Sequence, residues 1–198
     1  MSRNLIIFIK NPQLGLVKTR LAKSIGDAKA LQVYLLLLEK CKLETSKVDA
    51  NRFLYYSEGI IKNDTWSTSN FIKKSQFEGD LGERIIHAFH EVFIDSSGPS
   101  IIIGSDCYDL DSDVIEEAFQ KLKEFDLVLG PANDGGYYLL GINKMSKDIF
   151  RDIDWSTEKV LKQTLEAAQE EKMTYFLLKE LIDLDTFEDL EKSGFPKK

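Results

Sequence analysis

The sequence predicts an α/β protein in which helices pack on a mostly parallel, mixed sheet. Two short runs, Leu5-Ile6-Ile7-Phe8-Ile9 and Ser100-Ile101-Ile102-Ile103, are almost wholly apolar and lack the alternation of a half-solvated strand. Such runs suit strands buried on both faces, as in a parallel sheet covered by helices. The third observation is rhythm, because runs of this kind alternate with longer segments of helical spacing along the chain.

The first strand, residues 5–9, is bounded by Asn4 and by Asn11-Pro12. A glycine-containing loop leads into a helix over 19–46, with Gly26 a candidate break because glycine weakens a helix interior. Residues 53–56 form the next strand and 71–72 a short third, separated by a polar surface loop over 63–70. Asp80-Leu81-Gly82-Glu83 has capping-box spacing and opens a helix that runs to about residue 93. After the strand at 100–103 comes an amphipathic helix over 113–123, for which Asp111, Ser112 and Asp113 are available as caps. Strands at 126–129 and 137–140, a helix at 157–170, a strand at 174–178 and a short helix at 186–192 complete the order. No repeat, low-complexity tract or linker divides the chain, so residues 1–198 read as one domain.

A chain of 198 residues buries a core without disulfides or structural metals. The formal charge of −7 and the pI near 5.0 argue against nucleic acid as a partner, since that class neutralises phosphates with a basic surface. A small nucleotide needs only a few basic groups and stays open. Cys41 and Cys107 are too few for a zinc site and read as reduced thiols. The start of the chain lacks the apolar length of a signal peptide, and no segment reaches the ~18 apolar residues of a membrane span. The expectation is a cytoplasmic protein with no membrane partner; the oligomeric state stays open.

In α/β sheets ligands bind beyond the carboxyl ends of the strands, which selects the loops after Ile9, Ile103 and Leu129. In the first loop, Pro12 and Gly15 shape the backbone and Lys18 and Arg20 arrive at a helix start, a combination suited to a diphosphate or triphosphate. Neither the Gly-x-x-x-x-Gly-Lys-Ser/Thr nor the Gly-x-Gly-x-x-Gly pattern is present. Asp106 ends the central apolar strand, where a carboxylate can hold Mg²⁺ or Mn²⁺ against phosphate oxygens or can cap the next helix. Asp111 and Asp113 serve that cap better, which leaves Asp106 for the metal; Asp109-Leu110-Asp111 lies too far out to be the metal motif. Asp134-Gly135-Gly136 reads either as a hairpin turn or as a place where substrate approaches the backbone, with Asp134 facing it. Asp183 and Asp185 share a side if their segment is extended, which invites a metal, although Asp185 or Thr186 also fits a helix cap. His87 and His90, three apart with no further ligand nearby, read as surface or packed residues.

Together these segments resemble a bacterial family of provisionally assigned glycosyltransferases with the nucleotide-diphospho-sugar transferase, or GT-A, fold. The matching motifs are Phe8 to Leu21 (Phe-x-Lys-x-Pro-x-x-Gly-x-Val-Lys-Thr-Arg-Leu), Gly79 to Arg84, Gly104 to Leu110, Gly130 to Gly141 and Asp183 to Leu190. Tyr108 and Phe187 depart from the family, which commonly has proline at both positions. The resemblance implies a single-domain three-layer sandwich and contacts to the nucleotide from Lys10, Pro12, Gly15, Lys18, Thr19, Arg20, Gly79, Arg84, Ser105, Gly135 and Gly136. It implies Mg²⁺ or Mn²⁺ at Asp106, with Asp183 and Asp185 added by similarity to more distant relatives, the guanylyltransferases of the molybdenum-cofactor and phospholactate type. Catalytic roles fall to Lys18, Arg20 and Asp106, and to Asp134 as acceptor base.

The leading expectation is a metal-dependent glycosyltransferase with a nucleotide-sugar donor and a small-molecule acceptor; some members of the family are assigned to arsenosugar biosynthesis. The alternatives are a nucleotidyltransferase, which joins a nucleoside triphosphate to a phosphorylated small molecule and releases pyrophosphate, and an inactive nucleotide-binding module.

Overall fold

The computed structural model describes residues 2–196, so Met1, Lys197 and Lys198 of the expected 1–198 domain lie outside the described residues. The chain runs β1 (Asn4–Ile9), α1 (Thr19–Ile25), α2 (Asp27–Lys47), β2 (Asn51–Tyr56), β3 (Ile72–Ser75), α3 (Leu81–Asp95), β4 (Ser100–Ile103), α4 (Ser112–Lys121), β5 (Leu127–Pro131), β6 (Tyr137–Ile142), a 3₁₀ turn (Asp148–Phe150), α5 (Val160–Glu170), β7 (Tyr175–Leu177) and α6 (Phe187–Lys192). The seven strands form one sheet in the order β3-β2-β1-β4-β6-β5-β7. All neighbours are parallel except β6, which runs antiparallel to both β4 and β5.

The apolar runs behave as a covered sheet requires. Leu5, Ile7 and Ile9 face one layer, with α1, α2 and α4, while Ile6 faces the other, with α3, the 3₁₀ turn and α5. Leu5, Ile6 and Ile7 are fully buried, because helices cover both faces of β1. The expected mostly parallel mixed sheet between helical layers is therefore the observed one.

The expected long helix over 19–46 is broken at Gly26. With φ +83° this residue ends α1 and precedes α2, a backbone state that glycine adopts without strain. The capping box at Asp80 forms, with the Glu83 N–H donating to Asp80 and the Asp80 N–H to Glu83. Asp111 caps α4 by accepting from the Val114 N–H.

The stretch 63–70 is mostly exposed, as expected of a surface loop, with a single buried anchor. Trp66 is buried edge-on against Phe71, with ring centroids 4.9 Å apart. Asp64 fixes the segment by accepting from the Trp66 N–H, from Lys73 at 2.6 Å and from the Tyr56 hydroxyl. A tryptophan amid polar neighbours leaves no periodic trace, which is why its burial was not legible.

Glu44 on α2 is buried against the start of α4, where it accepts from Lys40 and Lys47 and from the Ser112 N–H. Burial works against its charge, but these three donors prevail and lower its pKa to about 2. A depressed carboxylate stabilises fully above its ordinary value of 4.5 and loses that stabilisation as pH falls toward 2. Glu44→Gln is expected to lower unfolding free energy at neutral pH by about 1–2 kcal/mol, the scale of lost charge-assisted hydrogen bonds. The deficit should shrink between pH 4.5 and 2 in denaturant titrations; a constant deficit would show that Glu44 carries no linked charge.

Candidate functional site

The sheet order places the chain's reversal at β1. From β1 the chain winds outward to β2 and β3, then returns through α3 to β4 on the other side of β1. Such a switch point leaves a crevice beyond the strand ends, where α/β sheets bind ligands. A cavity of about 530 Å³ opens there, within the range of small-molecule sites. Lys10 and Asn11 line it from the end of β1, Ser57 and Glu58 from β2, Gln76 from β3, and Gly104, Ser105 and Asp106 from β4. Leu81, Arg84 and Ile85 reach it from α3, and Tyr137, Tyr138 and Leu139 from β6.

Hydrogen bonds between the strand ends shape this cavity. The Asn11 N–H donates to Ser57 Oγ, the Asn11 carboxamide donates to the Gly59 carbonyl, and Asn11 Oδ1 accepts from the Glu58 N–H. Gln76 donates to the carbonyls of Ile9 and Tyr55. Arg84 donates to the Gly79 carbonyl at 2.8 Å and to Gln76 Oε1 at 3.4 Å. Buried Tyr34 on α2 accepts from the Lys10 N–H at 2.8 Å, and its hydroxyl lies 3.5 Å from Ser105 Oγ, so it braces the first loop against the β4 loop. Asn11, Glu58, Gln76 and Tyr34 were not singled out from the sequence. They sit at strand ends or inside a helix with no distinctive spacing, and Tyr34 reads as an ordinary core aromatic.

Of the expected nucleotide-contacting residues, Lys10, Arg84, Ser105 and Asp106 line the cavity. Pro12, Gly15, Thr19, Gly79, Gly135 and Gly136 do not. Gly15, at φ +76°, turns the first loop, and Gly79 leaves room for the capping box, since a Cβ there would meet Glu83 Oε2 at 2.3 Å.

Lys18 lies beneath the surface beside Asp106 and is not among the residues lining the cavity. It caps α1 with left-handed backbone (φ 50°, ψ 42°), and its side chain is only 4% exposed. Its ammonium donates to the Leu184 carbonyl at 2.5 Å and lies 2.9 Å from Asp106 Oδ1. Burial opposes its charge, and Asp106, followed by Asp183 and Asp185, more than offsets this and holds its pKa above the ordinary lysine value. Arg20 is exposed and pairs with Asp185 at 3.0 Å.

The segment that meets these cations comes from the far end of the chain. Leu181 bridges to Ala132, and the Leu184 N–H donates to the Asp106 carbonyl. Leu184 is fully buried between Asp183 and Asp185, so the expected alternation holds. The Asp183 N–H donates to Asn133 Oδ1. Burial first, and then Asp106, push the Asp183 carboxyl well above the usual carboxylate range against the pull of Lys18, with smaller pushes from Asp134 and Asp185.

The partner of Asp106 Oδ1 is the Lys18 ammonium, and the Asp183 carboxyl is close enough to feel the Asp106 charge. Asp185 pairs with exposed Arg20. Among the described residues no group of three or more His, Cys, Asp or Glu side chains converges as a complete metal site.

Asp134 is exposed, lies outside the cavity lining, and accepts from the Gly136 N–H at 2.9 Å. The turn reading of this loop is the observed one, and Asp134 does not face the cavity as expected of an acceptor base. Asp109 accepts from the Gly194 N–H. His87 stacks on Phe77 with centroids 4.6 Å apart, and His90 is exposed. Cys41 and Cys107 are both free thiols. Tyr108 packs on Phe195, while Phe187 is exposed. Among the described residues no helix is long and apolar enough to cross a membrane.

Comparison with solved structures gives the fold of nucleotide-diphospho-sugar transferases. A provisionally assigned nucleotide-diphospho-sugar transferase from Desulfovibrio desulfuricans G20 is 30% identical, with a TM-score of 0.89 over 96% of this chain and 85% of that one. The inositol-1-phosphate CTP transferase from T. maritima shares the fold at 15% identity, with a TM-score of 0.58 over 99% of this chain and 98% of that one. A Mycobacterium tuberculosis H37Rv protein in complex with manganese does so at 9% identity, with a TM-score of 0.55 over 97% of each chain. Comparison with curated proteins gives no match. Residues 42–157, more than half of the chain, match the family described as uncharacterized protein conserved in bacteria, DUF2064, and the chain belongs to that family.

Proposed function

We propose that the chain is a metal-dependent transferase that binds the diphosphate group of a nucleotide sugar in the cavity beyond β1 and β4. The observation that carries this reading is that Asp106 lines, together with Lys10 and Arg84, a cavity of about 530 Å³ at the sheet's switch point. Lys10 and Arg84 would meet the negative charge of the nucleotide, Ser105 would donate to it, and Gln76 and Asn11 present amides to the remainder. Asp106 and Asp183 would hold Mg²⁺ or Mn²⁺, and a bound ion neutralises charge that develops on a departing diphosphate.

One feature favours a diphosphate donor over a triphosphate. A triphosphate calls for more positive charge, yet Lys18 is committed to Asp106 and Leu184, and Arg20 pairs with Asp185. Fewer cations are left for phosphate than the first loop suggests. Nucleotidyl transfer, the activity named for the T. maritima neighbour, is the competing outcome.

Thermal-shift measurement with nucleotide sugars and nucleoside triphosphates, with and without Mn²⁺, tests the reading. A ligand at a hundred times its Kd stabilises by about 2.7 kcal/mol. Mn²⁺-dependent stabilisation by an intact nucleotide sugar is expected; stabilisation by a triphosphate alone would assign nucleotidyl transfer, and silence from both would end the transferase reading. Gly104→Ala adds a check on the cavity. A Cβ at Gly104 meets nothing within 4 Å, so the fold should keep its melting temperature. The methyl would project into the cavity and weaken nucleotide binding by about 1–3 kcal/mol, the cost of overpacking. Undiminished affinity in calorimetry would place the nucleotide elsewhere.

A further inference from the structure

We propose that Lys18 is a resident counter-ion that keeps Asp106 and Asp183 closed to a free divalent ion, so that the site accepts an ion only together with a diphosphate. This rests on the transferase reading above. Three features of the structure point to it.

Lys18 is built into the protein rather than displayed to solvent. Its side chain is 4% exposed, its ammonium contacts Asp106 Oδ1 at 2.9 Å and the Leu184 carbonyl at 2.5 Å, and its backbone holds φ 50°. Left-handed backbone is strained for a residue with a Cβ, so the contacts must hold it there. Lys18 is absent from the cavity lining while Asp106 is present, so it acts through Asp106 and is a positioning residue.

The carboxylates are also incomplete as a metal site. Among the described residues no three ligating side chains converge, and Arg20 occupies Asp185. Magnesium-type ions are commonly held by one or two carboxylates with phosphate oxygens completing the shell. Asp106, which lines the cavity, supplies one such carboxylate, and Asp183 lies close enough to add its charge.

Charge then sets the order of events. An ammonium 2.9 Å from the ligating oxygen repels a lone divalent ion brought to the same carboxylate. An ion that arrives already neutralised by diphosphate meets no such barrier. The same ammonium keeps Asp106 and the 183–185 segment from repelling one another while the site is empty of ligand.

Titration calorimetry of the whole protein with Mn²⁺ alone and with preformed Mn²⁺–pyrophosphate tests this. The unmutated chain should bind the complex at least about tenfold more tightly than the free ion. K18M, which keeps length and removes charge, should gain at least about tenfold in affinity for Mn²⁺ alone, a change that a merely structural lysine would not produce. K18R, which keeps the charge, should behave as the parent. Should K18M not fold, K18Q, which also removes the charge but can still donate to the Leu184 carbonyl, takes its place with the same expected gain. Tight binding of Mn²⁺ alone by the unmutated chain, or a folded K18M or K18Q without gain, overturns the role of Lys18 and leaves the transferase reading intact. No binding of Mn²⁺–pyrophosphate by any of the three proteins ends the transferase reading and this inference with it.

Discussion

Asp106→Asn is expected to fold and to lose metal-dependent nucleotide binding, with turnover lost as well. The substitution keeps the shape of the side chain and one acceptor oxygen but removes the charge. Two effects on stability oppose each other. The Lys18 ammonium loses the partner at 2.9 Å, while Asp183 is relieved of the neighbour that pushes its carboxyl up. Lys18 retains the Leu184 carbonyl and the field of Asp183, so the protein should still fold, with a stability loss of about 1–3 kcal/mol, the scale for a buried group that loses a partner. Loss of a residue that merely supports a metal ligand costs 10- to 100-fold in affinity, so loss of the ligand itself should cost at least about a hundredfold. Calorimetry with Mn²⁺ and a nucleotide sugar measures this directly. Parental affinity in the mutant would remove the metal from Asp106 and favour the inactive binding module.

Gly135→Ala carries the second large effect, and it falls on stability. Gly135 has φ +85°, and a Cβ there would lie 2.2 Å from the Glu158 carbonyl oxygen and 2.7 Å from the Glu158 Cα. These are backbone atoms of the segment leading into α5, and no rotamer change moves them aside. The Gly135 carbonyl also accepts from the Leu161 N–H, so the turn and the helix start are tied together. Left-handed strain and overpacking add, and destabilisation above about 2 kcal/mol is expected in denaturant titrations. Gly136→Ala is the control. Its nearest contact is Asp134 Oδ1 at 3.2 Å, the end of a side chain, so its effect should be much smaller. Equal effects at both positions would show that the turn yields and that the close approach to Glu158 is not the constraint.

Helix starts and turns depend on neighbours close in sequence, and these were legible. The capping box at Asp80, the cap at Asp111 and the break at Gly26 follow from local spacing and local backbone preference. The buried strands were legible because a covered sheet leaves a continuous apolar run. Trp66 was not, because a single aromatic in a polar stretch gains its burial from Phe71 and from the brace at Asp64, which periodicity does not record.

The cavity was legible in part. Asp106 stood out as a carboxylate at the end of a buried strand, while Lys10, Arg84 and Ser105 came from the resemblance to a known family. Asn11, Glu58 and Gln76 converge on the same space only because β1, β2 and β3 lie side by side in the sheet.

By itself the sequence determined the α/β class, the order of most elements and the presence of an acidic residue at the end of the central strand, all set by local patterns of apolar and polar residues. The placement of Lys18 was decided only by the tertiary structure. In sequence it is a basic residue before a helix, which suggests a phosphate ligand. In the fold, a segment 166 residues away crosses beside it, and the Leu184 carbonyl and Asp106 hold its ammonium under the surface. Coulomb interaction depends on distance in space and on the exclusion of water, and neither is written along the chain.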